Sequence, residues 1–240
     1  MTMNKLARHA VSVGAALTCL LGASTAANAA FFATICDDLA CTGGNDVTIL
    51  DNSAGDTIAA SGGISFATSA FGYSLLVNTS QSKPMIGSAA APQLDLTYTA
   101  TTNSATAASV FLYTSDTDFI SGGSFVLGLG GTNSGGSGTE TGRAWGGTSN
   151  TALQFSGANL LGAVGPLSGV SYSGSATGSF SPAVNPYSLT IGVAINRTSA
   201  GTSTGDLNLQ VSAIPEPETY ALMLAGLGAL GFVAKRRKTT

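Results

Sequence analysis

Alternation of apolar and polar residues is the feature that most constrains the fold of this chain. Three segments show it regularly, at residues 94–100, 189–195 and 207–213. In the last of them, the apolar members are Leu207, Leu209, Val211 and Ala213. Successive side chains of a β-strand point to opposite faces, so a period of two predicts strands with one buried face.

Five less regular segments are further strand candidates, at residues 47–50, 73–77, 109–113, 124–129 and 169–172. Clusters of Gly, Asn, Asp and Ser separate them, and such clusters favour turns. About eight to ten short strands predict an all-β protein with a single β-sandwich of the jelly-roll type. A solenoid is the alternative, although the sequence shows no fixed repeat period.

Residues 1–29 have the three parts of a secretory signal peptide. Basic residues precede an apolar stretch at residues 10–23, and residues 27–29, Ala-Asn-Ala, match the small-x-small cleavage pattern. We therefore expect export by the Sec machinery and a mature chain that starts at Ala30. The alternatives are an uncleaved anchor and a lipoprotein built on Cys19.

Cysteine usage fits an oxidising compartment. Only Cys36 and Cys41 remain after removal of the signal peptide. Two cysteines so close together in an exported protein predict a disulfide that closes a small loop. A free or intermolecular pair is the alternative.

The exported region is acidic and poor in charge. Residues 30–214 carry Lys83, Arg143 and Arg197 against ten acidic residues, which gives a net charge of −7. Such a surface repels phosphate groups, so we expect no nucleic acid among the partners.

Histidine occurs only at His9, within the signal peptide. The mature chain therefore lacks Ser-His-Asp and Cys-His catalysis and any metal site that needs histidine. The glycine-rich stretches do not follow the strand-to-helix pattern of phosphate-binding loops. We expect no catalytic residue, no metal site and no cofactor, and hence no enzyme.

Carboxylates are the remaining candidates for chemistry. A glycosidase needs a pair of them, yet Glu140 is the only glutamate between residues 30 and 213. Asp37 with Asp38, and Asp116 with Asp118, offer oxygen ligands for Ca²⁺. Neither pair extends into a complete calcium-binding motif, and ordinary turn aspartates are the alternative.

Residues 130–150 form the one low-complexity stretch, GGTNSGGSGTETGRAWGGTSN. Glycine at this density predicts a flexible loop or a linker, because it weakens a regular strand. The stretch contains Trp145, the only tryptophan. On an exposed loop Trp145 would stack on the apolar side of a sugar ring; the alternative is that it fills a sheet edge or the core.

The C-terminal region carries three features in a fixed order. Pro215-Glu216-Pro217 is followed by an uncharged apolar run at residues 219–234 and then by the basic cluster Lys235-Arg236-Arg237-Lys238. The prolines favour an extended tripeptide. The run predicts a membrane helix, and the basic cluster marks its cytoplasmic end.

This order resembles the PEP-CTERM protein-sorting signal of exopolysaccharide-producing Gram-negative bacteria. The resemblance covers about the last tenth of the chain. It implies recognition by an exosortase, a membrane-bound cysteine transpeptidase, which cuts near the motif. The alternative is a plain C-terminal anchor in which Pro-Glu-Pro is incidental.

Together these features divide the chain into a signal peptide at 1–29, an exported β domain at 30–213 and a sorting signal at 214–240. The C-terminal helix would hold the protein in the inner membrane until processing, after which it would reside in the envelope or outside the cell. We predict a non-enzymatic envelope or matrix protein. The alternatives are a carbohydrate-binding β-sandwich that acts on exopolysaccharide through Trp145 and exposed tyrosines, and a carboxylate-based hydrolase.

The cleavage pattern yields the first testable prediction. N-terminal sequencing of the exported protein should begin at Ala30, because Ala27 and Ala29 provide the small residues that signal peptidase requires. Recovery of an intact Met1 or of a lipidated Cys19 would contradict it.

Overall fold

Twelve β-strands form the fold in the computed structural model, which describes residues 30–106, 108–212, 223–227 and 230. A single-turn 3₁₀ helix lies between β8 and β9. The strands are β1 Phe32–Cys36, β2 Val47–Leu50, β3 Gly63–Ala70, β4 Tyr73–Gln81, β5 Gln93–Thr102, β6 Ala108–Phe119, β7 Gly123–Ser134, β8 Gly138–Gly146, β9 Leu160–Ser168, β10 Ser171–Phe180, β11 Tyr187–Arg197 and β12 Gly201–Ser212.

The strands form two six-stranded antiparallel sheets. The first sheet has the order β2-β1-β6-β11-β8-β9, and the second has the order β10-β7-β12-β5-β4-β3. Within the last eight strands the pairing is nested: β5 pairs with β12, β6 with β11, β7 with β10 and β8 with β9. Because these pairs alternate between the sheets, they form a jelly roll. The predicted all-β sandwich is confirmed.

The core lies between the two sheets and follows from the alternation in the sequence. Along β5 every second residue is buried, including Leu94, Leu96 and Tyr98. Leu207 and Leu209 on β12 are buried in the same way and lie directly opposite Leu96 and Leu94. Each such side chain contributes about 1.5–3 kcal/mol by leaving water, which holds the sheets together.

Strand β11 departs from the prediction of a half-buried strand. Leu189, Ile191 and Val193 face the core as expected, but Thr190 and Ala194 on the other face are buried as well. The outer face of the first sheet is covered by an aromatic cluster. Its buried members are Cys36, Tyr113 and Trp145, and Cys41, Phe111, Leu153 and Phe155 pack against them.

The prediction of a flexible loop or linker at residues 130–150 is wrong, because these residues contain the end of β7 and all of β8. Gly135 and Gly136 make the turn between these strands with φ of 65° and 97°, values that favour glycine. Gly142 lies inside β8 for a packing reason: a Cβ there would come within 2.6 Å of Leu207 Cδ1.

Trp145 consequently lies in β8 and not on a loop. It is only 4% exposed, and its ring packs against Phe155 and Tyr113 with centroid distances of 5.3 and 5.9 Å. A ring enclosed in this way presents no face to a sugar. The core-filling alternative therefore describes Trp145, and the sugar-stacking role does not.

A buried polar cluster forms around Arg197 at one end of the sandwich. Arg197 is 1% exposed and donates hydrogen bonds to Asn133, Ser203 and the carbonyls of Ser134 and Gly135, at 2.7–3.1 Å. Glu140 is fully buried beside it and accepts from Asn133 Nδ2 at 3.0 Å. Burial raises the pKa of Glu140, while the bonds from Asn133 and Ser203 and the charge of Arg197 act against the shift.

Much of the predicted sorting signal, and all of the signal peptide at 1–29, lie outside the described residues. Residues 223–227 and 230 are helical. Among the described residues, no helix has both the length and the hydropathy that a membrane span requires.

Replacement of Arg197 tests the contribution of the buried cluster. Arg197→Met should lower the free energy of unfolding by about 3–5 kcal/mol, because it leaves Asn133, Ser203 and two carbonyls without their donor and removes the positive charge near buried Glu140. Arg143→Met is the matched control, since Arg143 is only half-buried; we expect a change within about 0.5 kcal/mol. Urea unfolding followed by fluorescence measures both, and equal effects would contradict the prediction.

Candidate functional site

The end of the sandwich from which the sorting signal departs is built of five loops. We call this end the proximal pole; its loops are residues 51–62, 82–92, 120–122, 147–159 and 181–186. Strand β12 ends here at Ser212, which lies opposite Ser124. The described N-terminus lies at the same pole, where the Ala30 amide donates to Thr117 Oγ1 at 3.1 Å. Both predicted processing sites therefore adjoin one end of the domain.

A buried ion pair fixes the loop at residues 82–92 to β6. Lys83 Nζ donates to Asp116 Oδ2 at 2.8 Å and lies 4.1 Å from the centroid of the Phe119 ring. Ser82 Oγ donates to the same carboxylate oxygen at 2.5 Å, and Thr117 N donates to the other at 2.7 Å. Burial raises the pKa of Asp116, and these partners oppose the shift.

Three of the four candidate calcium ligands, Asp38, Asp116 and Asp118, are committed to other contacts. Asp116 is held by Lys83, whereas Asp118 Oδ1 accepts from Asn150 Nδ2 at 2.6 Å. Asp38 caps its own turn by accepting from the backbone of Ala40 and from Thr42. Its bonds to Thr42 and the neighbouring backbone lower the pKa of Asp38. The turn-aspartate alternative accounts for Asp38, whereas Asp116 lies within β6 and is held there by its ion pair with Lys83.

Cys36 and Cys41 are joined by a disulfide, with their Cα atoms 5.2 Å apart. Asp46 lies close enough to the two sulfur atoms to suggest a metal site. The sulfurs are bonded to each other, however, and so provide no thiolate ligand. Burial, together with the charges of Asp37 and Asp38, raises the pKa of Asp46.

The outer face of the second sheet contains a cleft of about 280 Å³. Its polar lining comes from three neighbouring strands: Gln81 on β4 lies opposite Asp95 on β5, which lies opposite Asn208 on β12. Gln93 and Gln210 form the adjacent row. Amide and carboxylate groups from residues far apart in the sequence are thus brought together on one rigid surface.

Asp95 is the only charged residue that lines the cleft. Asp206 lies near it on β12, and Thr97 Oγ1 approaches both carboxylates, at 3.5 and 3.4 Å. Burial and the neighbouring Asp206 raise the pKa of Asp95 to about 7. Asp95 therefore changes its charge close to neutral pH.

A second cleft of about 320 Å³ opens at the proximal pole between residues 146–148, 158–161 and 179–183. Its lining contains no charged residue. The carboxylate pair that a hydrolase needs is not found in this cleft.

Residues 213–238 match the family model of the PEP-CTERM protein-sorting motif. This chain carries a PEP-CTERM sorting signal. The match confirms the resemblance seen in the sequence, and the signal marks an exported protein that an exosortase processes. It begins at residue 213, immediately after β12 ends at Ser212. No curated protein and no solved structure is significantly similar to the chain.

The sorting motif could be recognised in the sequence because its features are consecutive. The cleft on the outer face of the second sheet could not be predicted in this way. Asp95, Asn208 and Gln210 do occupy the polar positions of predicted strands, which placed them on an outer face. The sequence gives no sign that β4, β5 and β12 are neighbours, so the grouping could be seen only in the structure.

The pKa of Asp95 predicts a pH dependence of stability. The pKa of Asp95 is about 7 in the folded protein against 3.8 for an unperturbed aspartate, so the folded state binds this proton more tightly than the unfolded state. Its stabilising contribution is complete below about pH 3.8 and is lost as the pH rises through about 7. The melting temperature should therefore fall between about pH 4 and pH 7 and change little at higher pH.

Asp206→Asn is the diagnostic variant, because it removes the like charge that helps to raise the pKa of Asp95. We expect a smaller fall in melting temperature over the same pH range. Thermal unfolding followed by circular dichroism measures it. An unchanged pH dependence in Asp206→Asn would show that the two carboxylates do not interact.

Proposed function

We propose that this protein is a non-enzymatic structural or adhesive component of the cell envelope or of the extracellular polysaccharide matrix. The Sec machinery exports it, the helix at residues 219–234 holds it in the inner membrane, and an exosortase then releases the domain from this helix. The observation that carries the proposal is the PEP-CTERM signal at residues 213–238, joined directly to a folded β-sandwich.

The length of the connection supports this route. Residues 213–218 separate β12 from the apolar run. Six residues span at most about 20 Å when fully extended, and two of them are prolines. The proximal pole is therefore held close to the membrane surface, where a membrane-bound transpeptidase reaches the motif without unfolding the domain.

The contacts of the candidate carboxylates support a non-enzymatic role. Asp116 is paired with Lys83, and Glu140 is enclosed beside Asn133 and Arg197. Asp118 is held by Asn150. These carboxylates stabilise loops and the core, and none of the three lines the described clefts.

Replacement of the motif tests the sorting route. In a variant with alanine at Pro215, Glu216 and Pro217, we expect the protein to keep its C-terminal helix and to accumulate in the inner membrane. The wild type should be shortened and exported. Cell fractionation followed by intact-mass measurement distinguishes the two forms.

The matched control is Glu218→Ala with Thr219→Ala, which changes the same segment and leaves the motif intact. This control should be processed like the wild type. If the motif variant is also processed and exported normally, Pro-Glu-Pro is incidental and the tail is a plain anchor.

A further inference from the structure

The cleft on the second sheet has a floor and a wall. The floor is formed by outward side chains of β4, β5 and β12, the strands that carry Gln81, Asp95 and Asn208. The wall is Ile86 from the loop at residues 82–92. This loop is held in place by the Lys83–Asp116 pair and by the bond from Ile86 N to Ser82 O at 3.0 Å.

The hydrogen-bonding groups of the cleft are free to bind a ligand. In the described part of the chain, the side-chain amides of Gln93, Asn208 and Gln210 take part in no hydrogen bond, whereas Gln81 donates only to the sulfur of Met85. Each amide offers both a donor and an acceptor, and Asp95 adds further acceptors. A polyhydroxylated ligand matches this set, because every hydroxyl both donates and accepts.

The charge of the cleft selects among polyhydroxylated ligands. Asp95 is the only titratable lining residue and Asp206 lies beside it, so above about pH 7, where both are charged, carboxylate, sulfate and phosphate groups are repelled. Ile86 provides an apolar surface for the C–H groups of a sugar ring. Recognition would therefore depend on hydrogen bonds and shape.

The dimensions of the cleft suit a short segment of a polysaccharide. Neighbouring strands lie about 4.8 Å apart, so a row across three strands spans about 10 Å. A volume of about 280 Å³ lies just below the range for sites that enclose a whole small ligand, which begins near 300 Å³. The cleft is partly open to solvent, so a bound polymer need not fit wholly within it.

We propose that this cleft is a binding site for a neutral polysaccharide, whose hydroxyl groups are held by Gln81, Asp95, Asn208 and Gln210. The proposal rests on the proposed matrix function and gives it a molecular contact. It also moves the carbohydrate-binding hypothesis from Trp145, which is enclosed, to the outer face of the second sheet.

The test uses the full chain in mild detergent and measures retardation in gels that contain a defined polysaccharide. The neutral probes are dextran, galactomannan and a soluble β-glucan; the anionic probe is alginate. We expect at least one neutral probe to retard the wild type and alginate to have no effect. Asn208→Ala with Gln210→Ala should weaken the retardation at least tenfold.

The matched control is Ser173→Ala with Ser175→Ala, on β10 of the same outer face but outside the cleft. It should bind like the wild type. Circular dichroism of each variant verifies that the domain is folded. The proposal is overturned if no neutral probe binds, if alginate binds more tightly than the neutral probes, or if the cleft variant binds like the wild type.

Localisation separates this proposal from the matrix function. The cleft variant keeps its sorting signal and should be processed normally, but it should appear in the medium instead of in the matrix fraction. If the wild type binds no neutral polysaccharide yet is still recovered with the matrix, the cleft assignment fails and the matrix function stands. If the wild type binds the probe but never reaches the matrix, the matrix function fails.

Discussion

The structure depends on burial of the inner face of each sheet against the inner face of the other. The two outer faces differ in what covers them. On the first sheet the outer face is covered by Tyr113, Trp145 and Phe155, whose rings pack with centroid distances of 4.6–5.9 Å. Gly192 allows the Tyr113 ring to lie directly on β11, since a Cβ there would come within 2.0 Å of Tyr113 Cδ1. The outer face of the second sheet carries hydroxyl, amide and carboxylate groups instead. Of the two outer faces, this is the one that carries the cleft at Gln81, Asp95 and Asn208.

The strands with strict alternation could be predicted from the sequence, whereas the glycine-containing β8 and the second buried face of β11 could not. β5 and β12 extend over the predicted segments because each has one buried face and one polar face. β8 was missed because Gly142 and Gly146 resemble loop residues, although the glycine at 142 is required by the close packing of Leu207. β11 was found, but its second buried face depends on loops that are distant in the sequence.

Functional features also differ in whether the sequence alone reveals them. The sorting signal is a linear pattern, so Pro215, Glu216 and Pro217 could be identified directly. The cleft depends on register across β4, β5 and β12, and the Lys83–Asp116 pair joins residues 33 positions apart. Pairing between distant strands follows from the topology as a whole. The composition of this protein, rich in small polar residues, leaves many registers equally compatible with the local sequence.

The sorting signal follows directly on β12, so a force applied to the C-terminal region before processing would enter the domain through this strand. β12 lies between β5 and β7 in the second sheet, and such a force can act along its axis. The ladder bonds to both neighbours are then stretched simultaneously, in shear, and are not broken one after another. Asn208 and Gln210 lie on the same strand within a few residues of Ser212, so tension from a ligand at these residues passes through one short, doubly supported segment. The distal half of the sandwich would carry almost none of this tension.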